Sequence, residues 1–204
     1  DSAYFLEDDA TYEDIATVMK TFVFNITNVF GMQHYYNVDF STGLVTARVL
    51  NVRSGPGTKY KVVGIADRAF ADCENLKTVT LPNSVKEIPH SLFANCSSLV
   101  SVVLPNTITS IGDSAFYKCY SLADITIPET VKTIGSSAFY MCHSLTSIEI
   151  PNNVVTLGDN AFYQCISLES VKVGMGVTNL NDYTFYGCTS LVDVELPANL
   201  RTIG

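Results

Sequence analysis

Positively charged residues are scarce in this sequence. It has 12 Lys and Arg residues against 20 Asp and Glu residues, which gives a formal net charge of −8 at pH 7. The basic residues form no stripe or cluster, and this argues against binding to nucleic acid or to an anionic membrane surface. Long apolar runs are also missing. Lys20, Asn25 and Asn28 interrupt the apolar stretch 15–30, so we expect no membrane span.

Groups that commonly perform catalysis are equally sparse. The three histidines, His34, His90 and His143, are scattered along the chain. The sequence contains no glycine-rich phosphate loop, no nucleophile elbow and no paired carboxylate motif. It also lacks Cys-x-x-Cys and the paired histidines that a metal site would need. We therefore predict that the protein is not an enzyme and has no cofactor or metal.

What the sequence does have is a strict internal period. Its six cysteines recur with a constant 23-residue spacing, at Cys73, Cys96, Cys119, Cys142, Cys165 and Cys188. A period of about 20 to 50 residues is typical of repeat proteins. Aligned on the cysteines, six 23-residue repeats run from Ile65 to Thr202, and a seventh begins at Ile203.

A single repeat cannot fold alone. The repeat at 111–133 has eight apolar or small positions, namely Ile111, Ala115, Phe116, Cys119, Leu122, Ile125, Ile127 and Val131. Burying eight such side chains contributes roughly 10–20 kcal/mol, whereas ordering the backbone costs roughly 1–2 kcal/mol for each residue. Stacking on neighbouring repeats supplies the missing burial, so the period predicts a solenoid.

Each repeat also predicts one short strand. Leu122, Ile125 and Ile127 fit a period of two, and Pro128 ends the strand because proline has no N–H. Stacked copies would form a parallel sheet with strands about 4.8 Å apart. The preceding Gly-x-x-Ala-Phe-x-x-Cys stretch is too short for a stable helix. It predicts a turn, or one or two helical turns, on the opposite face.

The repeat resembles a known family. The pattern Ile-Gly-x-x-Ala-Phe-x-x-Cys-x-x-Leu-x-x-Ile-x-Ile-Pro-x-x-Val is similar to the BspA-type leucine-rich repeat of bacterial and protist surface proteins, over residues 65–204. The departures from it are Pro89 and Asn181 for glycine, Leu92 and Thr184 for alanine, and Gly174 for proline. The resemblance implies a leucine-rich-repeat solenoid of β-rich or α+β class, with short parallel strands on its concave face. It also implies adhesion and protein binding at the cell surface.

The cysteine spacing favours free thiols over disulfides. Equivalent positions in stacked repeats lie about 4.8 Å apart and point the same way, whereas a disulfide needs Cβ atoms about 3.8 Å apart that face each other. We predict six free thiols, buried as small apolar residues, that react slowly in the folded protein.

Two columns of side chains are expected to project from the concave face. Their members in the last four repeats are Asp124, Thr126, Ser147, Glu149, Ser170, Lys172, Asp193 and Glu195. This small, polar and weakly acidic surface is either a binding site for an extended protein or glycan partner, or a solvated sheet face without a ligand.

A third column consists of tyrosines. Tyr117, Tyr140, Tyr163 and Tyr186 follow the repeat phenylalanine. Tyrosine combines apolar area with a polar group, so the column is either a contact strip for carbohydrate or protein, or a cover for the edge of the core.

The segment 1–42 lacks the period. Apolar residues over 15–30 fit one face of a helix, with Thr11 and Asp14 as a capping box and Gly31 as a stop signal. The second half of this stretch is also rich in strand formers, which leaves a β alternative open. The acidic residues before it are interpreted as a solvated helix start rather than a calcium site.

Residues 43–64 resemble the opening of a bacterial SH3 domain. The resemblance rests on Leu50-Asn-Val-Arg-Ser-Gly-Pro-Gly-Thr58 and on Tyr60, Val62 and Gly64. Gly55-Pro56-Gly57 predicts a turn between two strands. Such domains are implied to bind cell-wall peptide or glycan, but the segment covers only part of one. The segment is either a hairpin that closes the open end of the solenoid or part of a domain that residues 1–42 complete. A third possibility is that the consecutive numbering omits a segment of the protein.

The sequence is compatible with three functions. The first is a non-catalytic protein of the bacterial cell surface that binds a protein or glycan and serves in adhesion. The second is the cell-wall-targeting portion of a larger peptidoglycan hydrolase, and the third is a structural spacer. Because the seventh repeat stops just after it begins, at Gly204, we also expect either a longer parent protein or an end-to-end contact with a neighbouring chain.

Overall fold

The repeats form a solenoid of parallel strands. The computed structural model describes residues 65–81 and 83–204 in full, and before them the backbone of five short strands. These five are β1 (Met32–Gln33), β2 (Val38–Asp39), β3 (Leu44–Val45), β4 (Val52–Ser54) and β5 (Thr58–Tyr60). We call the successive repeats coils 1 to 6, beginning at residues 65, 88, 111, 134, 157 and 180.

The predicted strands lie on one side of the solenoid, here called the strand face, and five of the six coils form one there. Its members are β6 (Thr78–Thr80), β8 (Ser101–Val103), β11 (Ser147–Ile150), β13 (Ser170–Val173) and β15 (Asp193–Glu195). They pair in parallel, β6 with β8 and β13 with both β11 and β15, with equivalent positions side by side, as in Ser147 opposite Ser170. Ile148 and Ile150 are buried while Ser147 and Glu149 are exposed, which confirms the predicted alternation.

A second parallel sheet was not predicted. Its two-residue strands lie at the junctions between coils, where the sequence predicted no strand. They are β7 (Glu87–Ile88), β9 (Ser110–Ile111), β10 (Thr133–Ile134), β12 (Thr156–Leu157), β14 (Asn179–Leu180) and β16 (Thr202–Ile203). The strands β7, β9, β10 and β12 form one sheet and β14 pairs with β16. Most coils are thus held to the next by strands on two sides.

The third side of each coil, the turn side, consists of turns rather than helix. The N–H of Ala115 donates to the carbonyl of Gly112 at 3.3 Å, and that of Cys119 to Phe116 at 3.1 Å. Between these turns the N–H of Phe116 donates to the next coil, at the carbonyl of Ala138, over 2.7 Å. The part of the chain that the structure describes contains no helix, so the α component of the predicted fold class is not found there.

The turns require left-handed backbone at two positions of every coil. Ser114 and Lys118, the third residues of the two turns in coil 3, have φ of 56° and 58°. Such values at the third residue alone are typical of type II turns. The equivalent residues in the other coils also have positive φ, namely Arg68, Asp72, Ser91, Asn95, Ser137, Met141, Asn160, Gln164, Tyr183 and Gly187.

Stacked phenylalanines fill the centre of the solenoid. Six rings, one from each coil between Phe70 and Phe185, stack with centroids 5.1–5.6 Å apart. The first five are at most 1% exposed. Around them pack the leucine, isoleucine, valine and cysteine positions that the sequence predicted for the core.

The N-terminal strands form antiparallel pairs. The β4 and β5 strands pair with Ser54 opposite Thr58, and β1 extends them to a three-stranded sheet. This pairing agrees with the two strands predicted around 55–57. The predicted helix over 15–30, its β alternative and the turn itself lie outside the described residues.

Candidate functional site

The eight residues predicted for the concave face lie together on the strand face. Seven are exposed and Ser170 is half-buried. In one column Glu149, Lys172 and Glu195 occupy directly opposed positions of β11, β13 and β15. Two residues earlier along the strands, Ser147 stands beside Ser170, and Ser170 beside Asp193.

An ion pair crosses two of these strands. The Nζ of Lys172 lies 2.5 Å from Oε1 of Glu149, and the two side chains are 56% and 63% exposed. The hydrogen bond to Glu149 and its negative charge raise the pKa of Lys172. Because solvent screens so exposed a pair, it orders two side chains on the surface but adds little to stability.

The character of the strand face changes midway along the solenoid. In coils 1 to 3 the central column holds the uncharged residues Thr80, Val103 and Thr126, and Val103 is 58% exposed. In coils 4 to 6 the same column holds only charged residues. The central column therefore has an uncharged half and a charged half.

The four tyrosines form a continuous stack on the turn side. The centroid distances from Tyr117 to Tyr140, Tyr163 and Tyr186 in turn are 4.9, 4.6 and 5.1 Å, with interplanar angles of 20°, 3° and 16°. Partial burial between its neighbours raises the pKa of Tyr140. Tyr117, Tyr140 and Tyr163 are half-buried and Tyr186 is 56% exposed.

This stack leaves no open ring face between its members. The Nζ of Lys118 lies 5.1 Å from the centroid of Tyr117, and Tyr183 packs edge-on against Tyr186 at 5.7 Å. A sugar ring that stacks on tyrosine needs a free face. Between its members the strip therefore has no ring face free for stacking, which favours its role as a cover over the core edge. The contacts of Lys118 and Tyr183 were not anticipated from the sequence.

A second aromatic contact lies near the strip. The rings of Tyr120 and His143, at the same position of coils 3 and 4, are 4.8 Å apart and tilted by 36°. The sequence predicted no contact between these two residues. Adjacent aromatic residues at one repeat position were the signal that could have predicted it.

The thiols form a buried series. Cys96, Cys119, Cys142 and Cys165 are free and 0% exposed, whereas Cys188 is only half-buried. Burial raises the pKa of Cys96, Cys119 and Cys142. The free, buried state predicted for the thiols is therefore confirmed for these four. Because a protonated thiol is a poor nucleophile, we expect them to react slowly. Cys73 is also half-buried.

Residues 65–81 and 83–204 contain no group of three or more His, Cys, Asp or Glu side chains placed to hold a metal ion. Within the same described residues, no helix is long and apolar enough to cross a membrane.

Comparison with known proteins explains the repeat. Six copies of the BspA type leucine-rich repeat region match residues 58–156 and 109–204. The chain belongs to the BspA-type leucine-rich repeat family. This match begins at residue 58, inside the segment that resembles an SH3 domain, and the SH3 resemblance finds no support in the comparisons.

Solved structures of leucine-rich repeat proteins are similar to this BspA-type chain. The T. pallidum leucine-rich repeat protein is 31% identical, with a TM-score of 0.69, and the match covers 87% of this chain and 85% of that one. A Bacteroides ovatus leucine-rich repeat protein is 28% identical, with a TM-score of 0.69 and coverage of 90% and 54%. A leucine-rich cell surface protein from Faecalibacterium prausnitzii is 28% identical, with a TM-score of 0.71 and coverage of 87% and 51%.

The chain spans about half the length of the last two proteins. None of the curated proteins is significantly similar to it. Together the family and the fold confirm a leucine-rich repeat scaffold, consistent with a role in protein interaction. The predicted partners remain predictions.

Proposed function

We propose that this chain is a non-catalytic binding module of the bacterial cell surface, whose strand face takes up a protein or glycan ligand in adhesion. The observation that supports this is the pair of exposed columns, in register at every strand step from Ser147 to Asp193 and from Glu149 to Glu195. The F. prausnitzii relative, described as a cell surface protein, supports the location.

The chemistry of the strand face favours a polar, extended partner. Hydroxyl, carboxylate and ammonium groups repeat there at the spacing of strands, about 4.8 Å. A ligand that crosses the strands meets a new polar side chain at each step. The Lys172 and Glu149 side chains are already ordered against each other, which lowers the entropy cost of binding them.

The test begins with ligand discovery. We expect the purified protein to bind members of an array of host and bacterial extracellular proteins, or of a glycan array. Thr126→Arg, on the strand face, should then weaken binding about tenfold or more, because a long charged side chain obstructs the surface. Thr156→Arg is the matched control, since Thr156 is exposed on the second sheet. Failure of the folded protein to bind anything on either array would contradict the proposal.

A cell-wall-targeting role within a larger peptidoglycan hydrolase is the second candidate. The antiparallel pairing of β4 and β5 around the 55–57 turn sequence favours it. It predicts that the whole chain sediments with purified peptidoglycan, and lack of retention removes it. A structural spacer, the third candidate, predicts that charge changes at Glu149, Lys172 and Glu195 alter no binding.

A further inference from the structure

Backbone hydrogen bonds cross the strand face at four of the five steps between coils. At each of these steps the N–H of the residue preceding the strand segment donates to the carbonyl at the equivalent position of the preceding coil. The four bonds are Val100 to Lys77 (2.8 Å), Ala123 to Val100 (3.1 Å), Glu169 to Thr146 (2.8 Å) and Val192 to Glu169 (3.0 Å). The remaining step, from Thr146 to Ala123, lies within the described residues and has no such bond.

The strands themselves part at the same place. Asp124 makes an isolated parallel bridge back to Ser101 in coil 2. No residue of 123–127 pairs forward with β11, whose strand partner is β13. Coils 3 and 4 are therefore separated along the strand face by a seam, which we define as the unpaired boundary between 123–127 and 146–150.

The other two sides of these coils remain joined. On the turn side, the N–H of Lys118 donates to the carbonyl of Tyr140 at 2.7 Å, and that of Ser144 to Tyr120 at 3.1 Å. The rings of Tyr117 and Tyr140 stack there at 4.9 Å. On the second sheet, β10 pairs with both β9 and β12. Coils 3 and 4 are thus joined by backbone hydrogen bonds on two sides and unpaired on the third. Such a boundary can bend.

We propose that the seam is a hinge, about which coils 1 to 3 and coils 4 to 6 change their relative angle on the strand face. Bending elsewhere on this face breaks backbone hydrogen bonds between strand segments, whereas widening the seam breaks none between 123–127 and 146–150. Motion of a structure held by nearest-neighbour contacts concentrates at its weakest interface. The turn side, with Tyr117 and Tyr140, acts as the pivot.

The position of the hinge gives it a role that rests on the proposed function. The seam lies between Thr126, the last uncharged residue of the central column, and Glu149, the first charged one. It separates the two halves of the central column, so hinge motion adjusts its uncharged residues against its charged ones. A partner that contacts both halves selects one hinge angle.

Amide hydrogen exchange of the free protein tests the hinge without any ligand. Backbone amides at 125–127 and at Thr146, for which the structure shows no backbone acceptor, should exchange about tenfold faster than those of Val100 and Glu169, which are bonded to the preceding coil. Equal exchange at all these amides overturns the hinge. Because no partner is involved, that outcome leaves the proposed binding function untouched, and failure to find a ligand leaves the hinge untouched.

Two tyrosine variants form a matched pair. Tyr117→Ala removes the stacked ring across the seam, and Tyr186→Ala removes one at the other end of the same stack. We expect Tyr117→Ala to raise exchange at the seam a further threefold or so, because the pivot loses a contact, and Tyr186→Ala to leave the seam unchanged. The same response to both variants contradicts a pivot at Tyr117.

Discussion

The thiol of Cys142 donates a hydrogen bond to the carbonyl oxygen of Phe116 in the preceding coil, with an Sγ to O distance of 3.3 Å. The four equivalent bonds, from Cys96, Cys119, Cys165 and Cys188, measure 3.0–3.2 Å. The same carbonyl also accepts the N–H of Cys119 in its own coil. Cysteine at this position therefore does more than fill space, since its S–H ties each coil to the one before.

Replacement of Cys142 separates packing from hydrogen bonding. We expect Cys142→Ala to lower the free energy of unfolding by about 1–2 kcal/mol, because it loses both buried volume and the donor. Cys142→Val keeps the volume but not the donor, so it should still cost roughly 0.5–1.5 kcal/mol. Denaturant titration measures both. A neutral Cys142→Val variant would show that the thiol only fills space, and half-buried Cys188 provides a milder control site for Cys→Ala.

The buried thiols also predict how stability depends on pH. Burial raises the pKa of Cys96, Cys119 and Cys142 above that of an unfolded thiol, which is about 8.5. Their contribution is fully present below about pH 8.5 and is lost as pH rises toward the folded-state pKa. Above that pH the unfolded chain releases protons that the folded chain keeps, so stability should fall by about 1.4 kcal/mol for each pH unit and each buried thiol.

Denaturant titrations between about pH 7 and pH 10 measure this slope. The control is Cys142→Ala, in which one titrating thiol is absent and the decline should be shallower. Stability that stays constant over this whole range would contradict the assignment. Under the same conditions, thiol reagents should label the half-buried Cys73 and Cys188 before the four buried cysteines.

The main features of the solenoid could be predicted because they follow from local pattern and stacking. The constant repeat length places Ser147 beside Ser170 wherever identical repeats stack in register. Alternation of Ile148 and Glu149 specifies which face is buried. The second sheet was missed because two residues such as Thr133 and Ile134 are too few to show a period. Left-handed backbone at Met141 was missed because its side chain gives no signal for it.

The strand-face columns could be predicted, whereas the seam could not. The columns of Ala123 and Thr126 vary in residue type from coil to coil, and no side chain in the sequence accounts for the unpaired boundary. The stacked geometry of Tyr140 with its neighbours also came from the structure alone. A column of tyrosines is visible in the sequence, but whether their faces are open depends on ring orientation.

The left-handed residue Met141 should be improved by glycine. Its φ of 58° places Cβ against the following carbonyl, at a cost of about 1–2 kcal/mol for a residue with a side chain. Glycine removes this strain but loses more backbone entropy on folding, so Met141→Gly should stabilise by up to about 1 kcal/mol. The control is Thr146→Gly, an exposed position of the same coil without positive φ, which should destabilise. A lower denaturation midpoint for Met141→Gly would contradict this account.

Asn181 interrupts the second sheet where the repeat glycine is missing. At Gly112, Gly135, Gly158 and Gly204 the N–H donates to the carbonyl of the last residue of the neighbouring strand in the preceding coil, over 2.7–2.9 Å. The described residues show no such bond from Asn181, and β12 does not pair with β14. The reason is steric. A Cβ on Gly158 would lie 2.5 Å from the carbonyl carbon of Gly135 and 2.6 Å from the Cα of Ser136, so a side chain at this position forces neighbouring coils apart.

Removing that side chain should restore the missing pairing. We expect Asn181→Gly to allow β12 and β14 to pair, with a gain of about 0.5–1.5 kcal/mol for each new hydrogen bond against a glycine entropy cost of about 0.5–1 kcal/mol. Amides at 178–181 should then exchange more slowly and the denaturation midpoint should rise. The reciprocal variant Gly158→Asn should cost roughly 1–3 kcal/mol through steric overlap. If Asn181→Gly left exchange at 178–181 unchanged, the Cβ would not be what separates these coils.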